Sequence, residues 1–316
     1  MPSVSIARLH DELMTLYAPP RRAKKTQSQV AQVLRELAEV PGLKKSSDLR
    51  TVNIARWMDL HADRSAVTHK SHLRCLRRIC VYAVKEGYLR SSPFDFMPVG
   101  GWIRDDAAPV RERAPRHRSP ADMARVLALA DDEAADGDWG RCRLRALVYV
   151  YAYLGLRAAE GLHLWAADID LVRSIVTIQR HPEDGWKPKT LRSNAILPLA
   201  DPLADVLRDW IPRLDCRWLF PGKKLRGPWL SGGPGVRPLD QVAELGKRAG
   251  VPGLTIASFR KTVGTYAKTW GLSQLELKAL LRHSNVETQA WYDEAAVESL
   301  RPATAKIQFP RIANSA

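Results

Sequence analysis

Long apolar runs are the first thing this chain lacks: no uninterrupted stretch of its 316 residues approaches the roughly 20 needed to cross a bilayer. The opening MPSVSIARLHDELMTLY carries charges where the apolar region of a secretory signal would stand, so a cytoplasmic chain with no membrane partner is expected. Cysteine is sparse as well. Cys75, Cys80, Cys142 and Cys216 form no CxxC pair, which argues against a disulfide framework or a zinc site and leaves reduced, mostly buried thiols. Internal repeats and low-complexity tracts are missing too. With 45% hydrophobic and 26% charged residues, the composition is that of a globular protein long enough for two domains.

Acid is the scarcer charge. Against 34 Asp and Glu stand 49 Lys and Arg, a net charge of +15, of which residues 1–106 carry +7 and the remainder +8. A polyanion touched by both halves is the natural partner, because each cation near a phosphate releases condensed counterions. A basic surface that only keeps the protein soluble is the competing explanation.

Between Gln27 and Glu86, apolar residues recur three and four apart, which predicts helices in SQVAQVLRELAEV, RTVNIARWMDLHA and THKSHLRCLRRICVYAVKEG. In the last, Leu73, Leu76, Ile79, Cys80, Ala83 and Val84 share one face, and Gly87 can cap the end. Lys70, Arg74, Arg77 and Arg78 lie elsewhere around that helix and are candidate DNA contacts. The proline- and glycine-rich stretch 91–120 predicts a linker. Five segments follow: an N-terminal extension 1–26, a helical DNA-binding domain 27–105, a linker 106–118, a second domain 119–300 and a tail 301–316.

In the second domain, Ser119 or Asp122 can cap a helix over 121–135, and RCRLRALVYVYAYLG predicts a buried helix ending near Gly155. The β-branched SIVTIQR and NAILPL predict two strands, and helices resume near Asp201, Leu239, Ser258 and Ser273. The fold class is mainly α with a small antiparallel sheet.

Five residues in this domain are candidates for chemistry. Arg157 follows the buried helix, and its planar fork of donors suits phosphate oxygens; a pairing with Glu160 is the structural alternative. Arg260 stands near a helix start, where the dipole favours anions. Lys189 sits between the strands, with Lys187 two residues away. His283 and Tyr292 are nine positions apart in LLRHSNVETQAWYDE.

In this order and spacing the five residues resemble the catalytic domain of the tyrosine recombinases, the phage integrase family. YLGLRAAEGLHLWAADID resembles that family's first arginine box, and LTIASFRKTVGTYAKTWGLSQLELKALLRHSNVETQAWYDE its second box through to the nucleophile. SAVTHKSHLRCLRRICVYAVKEGYLRSSPFDF is similar to the last long helix of the family's core-binding domain, so the likeness covers residues 27–300. The resemblance implies that Tyr292 attacks a DNA phosphate and forms a 3′-phosphotyrosyl link with neither metal nor ATP, while Arg157 and Arg260 clamp the non-bridging oxygens. Lys189 would protonate the leaving 5′ oxygen and His283 would hydrogen-bond the phosphate. Implied partners are double-stranded DNA with inverted half-sites and three further copies of the chain in a tetramer, with the segment after Tyr292 docking on a neighbour or remaining disordered.

Two positions depart from the family pattern. Ala257 stands where a histidine usually precedes the second arginine by three, and Arg282 stands where glycine usually precedes His283. Lys261, one helical turn beyond Ala257, is the candidate substitute for the missing imidazole, with a water in the alanine's space as the other. These departures support a competing reading, a DNA-binding regulator that does not cut. A type IB topoisomerase, which uses similar chemistry, fits the spacing and the helical first domain less well.

Overall fold

Ser5 starts the first helix: its side chain accepts a hydrogen bond from the Arg8 amide at 3.1 Å, and α1 runs over Ile6–Leu16. Leu9 and Leu13 from α1 are fully buried in the same core as Val30, Leu34 and Leu37. A helix from the expected extension thus belongs to the helical domain's core. The chain continues through α2 (Lys24–Ala38), α3 (Thr51–Asp59), α4 (Ala66–Lys85) and the short α5 (Pro93–Phe96). This computed structural model describes residues 3–19, 21, 24–102, 117–184, 194–222, 227–230, 236–282 and 294–310. It divides the chain into two units, Met1–Arg113 and Ala114–Ala316. Of the expected linker 106–118, only 117 and 118 are among the described residues.

The Ser65 hydroxyl caps α4, whose inner face buries Leu73, Leu76, Ile79, Cys80 and Ala83, with Val84 half-buried at its edge. Lys70, Arg74, Arg77 and Arg78 are exposed. Beneath α4 the core is polar at one point. Glu36 accepts two hydrogen bonds from Arg64, both at 2.9 Å, and one from the buried Trp57 indole at 3.3 Å. The rings of His61, His69 and His72 pack around Trp57 at 5.9–6.4 Å. A buried carboxylate is tolerated only when paired and hydrogen-bonded, and the Arg64 fork provides both.

In the second unit, Ser119 and Asp122 cap each other's backbone at 3.0 and 3.1 Å and start α6 (Pro120–Ala134) with proline at its first position. Helix α7 (Trp139–Leu154) is buried along most of its length, as its apolar run predicts, and ends at Gly155 with φ +54°. Next comes α8 (Ala158–Leu162), where a Cβ added to Gly161 would lie 2.7 Å from the Tyr151 ring. Three antiparallel strands follow in order: β1 (Ile169–Asp170), β2 (Ile175–Ile178) and β3 (Ala195–Pro198), with Val176 opposite Leu197 and Ile178 opposite Ala195. β2 and β3 lie in the segments expected to be strands, and the two-residue β1 is additional.

Helices α9 (Asp201–Trp210), α10 (Pro238–Arg248), α11 (Ile256–Tyr266), α12 (Gln274–Leu281) and α13 (Glu294–Ala305) complete the unit. α13 runs past position 300, where the tail was expected to begin. Leu300, Ala303 and Ile307 join the core, and Phe309 packs edge-on against Tyr153 and Trp270. In this structure the segment therefore docks on its own unit. The architecture is mainly helical with a small antiparallel sheet. Among the described residues no helix is long and apolar enough to cross a membrane.

Candidate active site

Gly155 turns the chain out of α7 in the left-handed conformation, which glycine adopts at no steric cost, and this sets Arg157 as the N-cap of α8. Glu160 lies one turn on. It accepts the Arg157 amide at 2.8 Å with Oε2 and the Arg157 guanidinium at 2.6 Å with Oε1. The pairing foreseen as the structural alternative is therefore present, yet the Arg157 side chain remains 33% exposed. Its other donors can serve a ligand.

Arg260, the fifth residue of α11, reaches back across the unit. One Nη donates to the Gly155 carbonyl at 2.7 Å and the other to the Leu281 carbonyl, so a single guanidinium joins the ends of α7 and α12. Arg282, the residue just after α12, has φ +51° and ψ +52°. A left-handed site is where glycine is at ease, which gives a physical reason for the family's preference there. Here the arginine adopts that backbone and turns its side chain inward. Its Nη2 donates to Glu160 Oε2 at 2.8 Å, its Nη1 to the Leu280 carbonyl at 3.0 Å, and its Nε has no partner among the described residues. Both Arg282 and Glu160 side chains are 2% exposed.

Two guanidinium groups thus bond one buried carboxylate and that of Arg260 lies within electrostatic reach of all three, an excess of two positive charges. Burial acts to raise the Glu160 pKa, but the Arg282 charge and the Arg157 hydrogen bonds outweigh it and hold the carboxyl below its ordinary value. Burial first, then the neighbouring Arg282 and Arg157 charges, push the Arg260 pKa down to about 10, which still leaves it cationic near neutrality. Excess positive charge in a water-poor setting attracts an anion far more strongly than the same charge in bulk water. A group with several oxygens suits the planar forks.

Ala257 is exposed on the first turn of α11, and Lys261 is exposed one turn later. Together with Arg260 they border a recess of about 440 Å3, which His117 also lines. Lys187, Lys189, His283 and Tyr292 lie outside the described residues. The approach to the segment carrying the two lysines is firmly built: His181 Nε2 lies 2.8 Å from Asp168 Oδ2, and the His181 and Trp165 rings stack at 3.8 Å. The Trp165 indole donates to Asp184 at 2.9 Å. The sequence reading missed His117 and the role of Glu160 as the shared acceptor. For Glu160 the three-residue spacing from Arg157 was a signal; for His117 there was none.

The model of the phage integrase family matches residues 121–299, more than half of the chain. The chain belongs to the phage integrase family. That places it in the class of tyrosine site-specific recombinases, proteins of DNA recombination and integration. No curated protein sequence matches it. Among solved structures, the Tn1549 transposon integrase in complex with a circular intermediate DNA is similar at 17% identity and a TM-score of 0.65, covering 96% of this chain and 100% of that one. A lambda integrase tetramer bound to a Holliday junction is similar at 16% identity and a TM-score of 0.65, covering 92% and 80%. At such identities the likeness shows this family member's fold.

Proposed function

We propose that the protein recombines DNA at specific sites, integrating or excising a mobile element, by cutting and rejoining strands through a 3′-phosphotyrosyl intermediate. The observation that carries this reading is the cluster of Arg157 and Arg282 on Glu160 with Arg260 in electrostatic reach, which leaves two surplus positive charges. A phosphodiester brings one negative charge, and the pentavalent species formed by nucleophilic attack brings two, so a +2 site favours the transition state over the substrate. Arg157 and Arg260 hold the non-bridging oxygens and His283 hydrogen-bonds one of them. Tyr292 attacks phosphorus while Lys189, or its neighbour Lys187, protonates the leaving 5′ oxygen. The link conserves the phosphodiester bond energy, and attack by another strand's 5′-hydroxyl reverses the step without metal or ATP.

The DNA is a duplex with inverted half-sites, bound by four copies. The helical domain, with α1 in its core, contributes Lys70, Arg74, Arg77 and Arg78, which stand exposed along α4 and suit phosphate contacts that position without specifying. The catalytic domain is the second unit, which takes in the segment just before α6 and runs through α13. A second reading is a DNA-binding regulator without cleavage, favoured by Ala257 at the second arginine box. Nicked suicide duplexes drawn from DNA flanking the gene separate the two. The parent forms a denaturant-resistant protein–DNA band that Tyr292→Phe abolishes; DNA binding with no band from the parent supports the regulator instead.

A further inference from the structure

His117 stands in the segment that leads into α6, 140 positions before Ala257 in sequence, yet both line one recess with Arg260, Lys261, Gly264 and Leu281. Two hydrogen bonds fasten that segment to α11. The Arg118 amide donates to the Thr262 hydroxyl at 2.9 Å, and the same hydroxyl donates to the Arg118 carbonyl at 3.0 Å, with Thr262 itself 1% exposed. The Arg118 side chain adds a bond to the Pro252 carbonyl at 2.9 Å. The His117 ring rests edge-on against Tyr266 at 6.0 Å, which sets its orientation, and neither ring nitrogen bonds to a described residue. One lining group of the recess is thus an imidazole held by packing, and Ala257, which lines the same space, offers only a methyl group.

We propose that His117 supplies the imidazole that position 257 lacks, acting on the phosphate clamped by Arg157 and Arg260. The inference rests on the strand-cleavage reading above. In the cleavage step the Tyr292 phenol oxygen bonds to phosphorus as the bond from phosphorus to the 5′ oxygen breaks. The phenol proton passes to a ring nitrogen of His117, and the leaving oxygen takes a proton from Lys189; in rejoining, both protons return. An imidazole can accept at one nitrogen and donate at the other, whereas the Lys261 ammonium only donates, so the two residues that border the recess are not equivalent for this task. His117 comes from a different segment from the residue it replaces, which is why the α11 motif alone makes the site look incomplete.

The test uses the full chain and the nicked duplexes described above, comparing the parent with His117→Ala, Tyr292→Phe and the double variant His117→Ala with Ala257→His. DNA affinity is measured on the same duplexes by gel shift. Loss of the imidazole slows formation of the covalent band by about 10²-fold or more, with DNA affinity unchanged. The double variant recovers most of that rate, which a merely structural role for His117 would not allow. Equal rates for His117→Ala and the parent, or a loss that Ala257→His fails to repair, would overturn the inference while a Tyr292-dependent band left the cleavage reading standing. DNA binding by a parent that forms no covalent band would overturn both.

Discussion

Removing the carboxylate at the centre of the arginine cluster gives the sharpest test of how that cluster is held. In Glu160→Ala, Arg157 can turn to solvent because a third of its side chain is already exposed, whereas Arg282 is 2% exposed and among the described residues keeps the Leu280 carbonyl as its one acceptor. Breaking a buried ion pair from one side typically costs about 3–5 kcal/mol, because the remaining charge stays desolvated. In a unit of this size each kcal/mol lowers the melting temperature by about 2–4 °C, so Glu160→Ala melts roughly 6–20 °C below the parent in differential scanning calorimetry. Replacing the stranded charge repairs the damage: Glu160→Ala with Arg282→Met recovers most of the loss, since a well-packed apolar pair is often as stable as a buried ion pair. A single variant melting with the parent, or a double variant no better than the single, would refute the claim that Glu160 compensates Arg282. Arg282→Gly also relieves a left-handed backbone worth about 1–2 kcal/mol and leaves Glu160 paired with Arg157, so it is the milder of the two single changes.

Three further outcomes follow from other parts of the chain. Gly161→Ala places a Cβ 2.7 Å from the buried Tyr151 ring and destabilises the second unit by about 1–3 kcal/mol, read as a lower urea midpoint at unchanged slope. Burial lowers the pKa values of His69 and His72 below 6.5, so as pH falls the unfolded chain takes up these protons before the fold does. That contribution is fully present above pH 6.5 and is lost as pH falls through the folded values. The Glu36 carboxyl, which burial would raise but the Arg64 and Gln32 hydrogen bonds hold below 4.5, adds a further loss in more acid solution. Amide hydrogen exchange of α2 and α4 at pH 7 and pH 5, corrected for the intrinsic rates, measures this as weaker protection at pH 5. On α4, replacing Lys70, Arg74, Arg77 or Arg78 with alanine weakens DNA binding evenly across sequences and reduces the salt-dependence slope by about 0.9 for each phosphate no longer neutralised, read by fluorescence anisotropy across a salt series.

Local chemistry was enough to predict much of this molecule. Helices α2, α4, α6 and α7 follow from apolar spacing and capping residues, and β2 and β3 from β-branched runs, because hydrogen bonds within a few residues and one buried face specify such elements. The family likeness was legible as well, since its boxes keep order and spacing along the chain. α1 was not foreseen, residues 1–26 being read as an extension, and its place in a core depends on Val30, Leu34 and Leu37, which meet Leu9 and Leu13 only in the fold. Tertiary structure alone decided the condition of the charges. No spacing rule brings Arg282 to Glu160 across 122 positions, or holds His117 beside Ala257 through a threonine on α11. A buried charge must find its counter-charge wherever packing allows, and the segments that supply it are set by how helices fill a core rather than by their distance along the chain.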